Sequence, residues 1–131
     1  MHDHANYIHT VARIMKEAGF HVLFVGGHDW QPRGGHIVLG CQDGWDDYRE
    51  DTAADVLWDE RNGWRIKWLG ITDPLCDPSV VASPTQVAFA VGAAVGQTPT
   101  AVDHRFDDVR AEPGTPEFEA ALAAYEPENA R

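Results

Sequence analysis

Cysteine and serine are both scarce in this 131-residue chain. Two cysteines, Cys41 and Cys76, are too few for the disulfide framework of a small secreted scaffold. Neither belongs to a Cys-x-x-Cys pair, which excludes a structural zinc site of the usual spacing. Both read as small buried hydrophobes. The only serines, Ser79 and Ser83, stand where a turn and a helix cap explain them, and there is no G-x-S-x-G elbow, P-loop or dinucleotide fingerprint. No apolar run approaches the ~20 residues that span a bilayer. The opening MHDHANYIHT lacks the cationic and apolar regions of a signal peptide. The expectation is a soluble, cytoplasmic protein. There is no internal repeat.

What the chain does have is acid. Its formal charge is −11, and residues 43–60 hold Asp43, Asp46, Asp47, Glu50, Asp51, Asp55, Asp59 and Glu60 against Arg49 alone. Such a field repels nucleic acid and anionic membrane and attracts cations or basic protein surfaces. Acids also keep a small protein soluble, which explains the total better than it explains the clustering.

Hydrophobic residues make up 44% of the sequence, enough for one domain with its own core. Residues 4–18 carry Ile8, Val11, Ala12, Met15 and Ala18 at helical spacing, with Asp3 placed to cap the start and Gly19 the end. FHVLFV (20–25), HIVLGC (36–41), ADVLW (54–58) and WRIKWL (64–69) read as strands, the last two joined by DERNG with its Asn-Gly hairpin signal. In the fourth, Trp64, Ile66 and Trp68 alternate with Arg65 and Lys67, an apolar face against a basic one. Residues 73–84 read as a Pro-rich crossing, and Ser83-Pro84 opens an uncharged, largely buried helix to Gly96. The remainder is acidic, with a helix from Pro116 to Tyr125 presenting Phe118, Ala121, Leu122 and Tyr125 on one stripe, and a helical turn within 102–110. The predicted fold is an α+β two-layer sandwich: a four-stranded antiparallel sheet of two hairpins with N- and C-terminal helices on one face. Residues 1–96 form the core domain and 97–131 an acidic helical extension.

The order of helix ending in Gly, meander containing LWDERNGW, and closing SPTQVAFAVGAAVG helix resembles an uncharacterised actinobacterial domain family with a WDE-x-x-GW hairpin. The similarity covers about residues 5–96. It implies the same sheet-and-helix fold and brings no known activity or site residues. The acidic 43–53 stretch and the tail after Gly96 depart from that pattern.

Two stretches invite a functional reading. In GGHDWQPRGGH (26–36), a hairpin that set His28 opposite His36 would let the two share a metal with Asp29, a two-His, one-carboxylate set. That alternative would make the chain a small metal-binding protein or metal-dependent hydrolase. The preferred reading is a plain hairpin loop that presents Trp30 and Arg33 as contact residues, with no cofactor. In DGWDDYRED, Trp45 and Tyr48 sit among Asp46, Asp47, Glu50 and Asp51. Aromatic anchors ringed by carboxylates suit the capture of a basic protein partner. The EF-hand spacing for calcium is lacking. The His2, His4 and His9 group reads as a frayed terminus. The leading expectation is a non-enzymatic interaction module of immunity-like, DNA-mimic-like or phage-accessory character. A small-molecule sensor is the third reading.

Overall fold

The computed structural model describes residues 4–28, 33–40, 54–68, 71–77, 80–96, 108–112 and 114–125. Helix α1 (Ala5–Glu17) forms where the helical spacing places it and buries Tyr7, Ile8, Val11, Ala12, Ile14 and Met15. Its other side leaves His9, Arg13 and Lys16 exposed. Asp3 lies outside the described residues, and His4 takes the cap position without a side-chain cap bond. The His4 ring instead donates from Nε2 to the carbonyl of Gly34 at 2.8 Å, tying the helix start to the sheet.

Five strands follow as one antiparallel meander: β1 (Val22–His28), β2 (Gly34–Leu39), β3 (Ala54–Asp59), β4 (Gly63–Trp68) and β5 (Ile71–Pro74). β6 (Val80–Val81) precedes α2 (Pro84–Val95) and pairs with β7 (Val109–Arg110), after which α3 (Pro116–Ala123) closes the described chain. The mixed α and β content matches expectation, but the four-stranded sheet of two separate hairpins does not. β2 pairs β3 along its whole length, from Gly34↔Asp59 to Leu39↔Ala54. The fifth strand lies partly in the stretch read as a Pro-rich crossing. Pro74 is compatible with a strand there because β5 pairs only with β4, and proline at a sheet edge leaves no required donor missing. Residues 109–110, expected within a helical turn, are extended because the two valines of β6 offer them a ladder.

One face of the sheet is apolar. Ile37, Leu39, Ala54, Val56, Trp58, Trp64 and Ile66 are buried there, and their neighbours alternate outward. α1 lies on β1 and β2, and α2 packs beside α1 and on β4. Gly35 permits that approach: a Cβ there would sit 2.7 Å from the Gly26 carbonyl oxygen and 3.2 Å from Ile8.

α2 starts as read, with Ser83 Oγ accepting from the Gln86 amide at 3.1 Å and Pro84 in the first turn. The expectation that it is largely buried fails on one side, where Gln86, Phe89, Ala93 and Ala94 are exposed. In a two-layer packing only the side toward α1 and the sheet is covered. α3 is capped by Thr115, whose Oγ1 accepts from the Phe118 amide at 3.2 Å. Its Phe118, Ala121 and Leu122, with Tyr125 just beyond, join the same buried cluster as the sheet and α1. No helix among the described residues is long and apolar enough to cross a membrane.

Candidate interaction site

Both glycine pairs of GGHDWQPRGGH belong to the ladder rather than to a loop. Gly26 opposes His36, Gly27 opposes Gly35, and His28 opposes Gly34. Glycine is a poor strand former, so the sequence suggested shorter strands and a longer loop. The register differs from the direct His28–His36 pairing that the metal reading supposed. His28 and His36 are not cross-strand partners but diagonal positions on one side of the sheet, about 7–8 Å apart in such a pair. The His36 ring stacks on Phe24, with centroids 5.3 Å apart and planes 25° apart. Asp29 and Trp30 lie outside the described residues. Among the described residues no group of three His, Cys, Asp or Glu side chains is placed to hold a metal ion.

Arg33, expected as an exposed contact residue, is a correction of larger consequence. It is only 2% exposed. Its Nε donates to Glu60 Oε2 at 3.0 Å and its Nη2 to Glu60 Oε1 at 3.3 Å. Its Nη1 donates to Glu119 Oε1 at 3.1 Å, and Nη2 also pairs with Glu119 Oε2. The backbone joins in, with the Arg33 amide on Glu60 Oε2 at 2.5 Å and the Glu60 amide on the Arg33 carbonyl at 3.0 Å. Burial alone would lower the Arg33 pKa, but the bonds to Glu119 and Glu60 outweigh it and raise the value. A planar guanidinium meeting two carboxylates uses its fork to the full. Sequence reasoning missed this cluster because its members are 27 and 86 residues apart.

The cluster also changes the meaning of the acidic stretch. Glu60 is committed to Arg33, and Asp59 accepts the amides of Arg61 and Asn62 at 2.9 and 2.7 Å while pairing with Arg65 at 3.2 Å. Those two carboxylates build the β3–β4 turn. Asp55 on β3 is half-buried and opposes Lys67 in register. The other five acids of the stretch, Asp43, Asp46, Asp47, Glu50 and Asp51, fall within residues 41–53, with Arg49 the one base among them in sequence. These, with Trp45 and Tyr48, lie outside the described residues. The structure does fix where the segment starts and ends. Leu39 and Ala54 are cross-strand partners, so the chain leaves and re-enters the sheet at one rung.

The outward side of the sheet is mixed. Phe24 is 55% exposed, and Arg65 and Lys67 also point away from the apolar face. Behind the sheet is an aromatic cluster the sequence did not announce. Trp58 meets His4 at 5.8 Å, Tyr7 at 5.6 Å and Phe118 at 6.4 Å. Tyr7 is fully buried, and burial pushes its hydroxyl pKa well up against the opposing bond from Trp64. Cys76 is a half-buried free thiol, pushed up to about 11 by burial and then by Asp108. Cys41 lies outside the described residues.

Fold and site together define a small α+β domain in which a helix-backed meander carries a long acidic connection between two paired strands. Comparison with known proteins adds no relative: no family model, no curated protein and no solved structure matches the chain.

Proposed function

We propose that the chain is a non-enzymatic interaction module that binds a basic protein surface through residues 41–53. Trp45 and Tyr48 serve as anchors, and Asp46, Asp47, Glu50 and Asp51 steer and hold the partner. The observation that carries this reading is the Leu39↔Ala54 pairing. A short turn would suffice to join paired strands, yet thirteen residues with five carboxylates and two large aromatics are inserted after Gly40. Long insertions between paired strands are uncommon without a function. Asp59 and Glu60 have roles inside the fold, so the reading rests on the acids of 41–53 and not on these two. On this reading the protein works in the cytoplasm, as an immunity-like, DNA-mimic-like or accessory protein would.

Affinity capture from host lysate tests it, with wild type and Asp46→Lys/Asp47→Lys/Glu50→Lys as parallel baits at low and high salt. The reading requires a protein retained by wild type, released by salt and lost by the variant. Identical profiles from both baits contradict it.

A further inference from the structure

We draw no further inference here: the strongest candidate, the outer edge of β1, where Phe24 stands exposed beside Gly26 and no second described strand pairs, carries nothing because nothing in the structure shows what covers it.

Discussion

The indole of Trp64 donates its Nε1–H to the hydroxyl of Tyr7 at 2.9 Å, joining β4 to α1 across the core. That hydroxyl in turn donates to the carbonyl of Ala82 at 2.5 Å, just ahead of α2. One buried oxygen thus links the sheet to both helices that cover it. Tyr7→Phe keeps the ring but strands a buried N–H and a buried carbonyl. The expected loss is about 3 kcal/mol, since each orphaned group costs roughly 1–3 kcal/mol. Urea unfolding of the two proteins measures it, and a loss under about 0.5 kcal/mol would show that the relay does not stabilise the fold.

Alkali should weaken the protein through the same region. The Tyr7 hydroxyl and the Cys76 thiol are neutral when protonated, and the fold raises both pKa values. Above the unfolded pKa the unfolded chain gains by ionising while the folded chain does not. Their contribution is therefore present below about pH 9 and, for Cys76, drains away between pH 9 and about 11. Stability measured against pH should fall in that window, and Cys76→Ala should flatten the fall. At pH 8 the folded thiol should react with a disulfide reagent roughly 100-fold more slowly than the unfolded one.

Gly35 and Gly27 should differ sharply although they face each other. A Cβ at Gly35 meets the Gly26 carbonyl at 2.7 Å, a backbone atom that cannot turn aside. Gly35→Ala should cost about 3 kcal/mol and push α1 off the sheet. At Gly27 the nearest atoms are 3.4 and 3.7 Å away and the residue is exposed. Gly27→Ala should stay within about 0.5 kcal/mol of wild type. Thermal melts of the two variants check the contrast.

Arg33→Met should be among the most damaging single changes, at about 3–5 kcal/mol, because Glu60 and Glu119 would face each other with no cation. Adding Glu60→Leu and Glu119→Leu should recover much of that loss, since apolar packing can replace a buried ion cluster. A triple variant no more stable than the single one would show that the cluster is needed for more than its charge balance.

The sequence was most legible where local chemistry and packing agree. Ser83-Pro84 opens α2 and Thr115-Pro116 opens α3, because a cap hydroxyl and a first-turn proline act within four residues. The alternation Trp64, Arg65, Ile66, Lys67 fixed the covered face of β4 because strand periodicity is geometric. Legibility failed where tertiary pairing overrides propensity. Gly26, Gly27, Gly34 and Gly35 are strand residues only because their partners hold them. Ile71–Pro74 is a strand only because β4 offers an edge. The candidate site was harder still. Arg33 reads as exposed by residue type, and nothing near it in sequence announces that its partners sit on β3's turn and on α3. The Leu39↔Ala54 register, which gives the acidic stretch its meaning, is likewise a property of the folded sheet.

The central claim is tested most directly by removing residues 41–53 and joining Gly40 to Ala54 through an Asn-Gly turn. Cross-strand pairing of Leu39 with Ala54 makes that closure compatible with the fold. The shortened protein, used as bait beside wild type in affinity capture, should melt cooperatively near the wild-type temperature and lose the partner that wild type retains. A folded, shortened protein that still retains that partner would contradict the account.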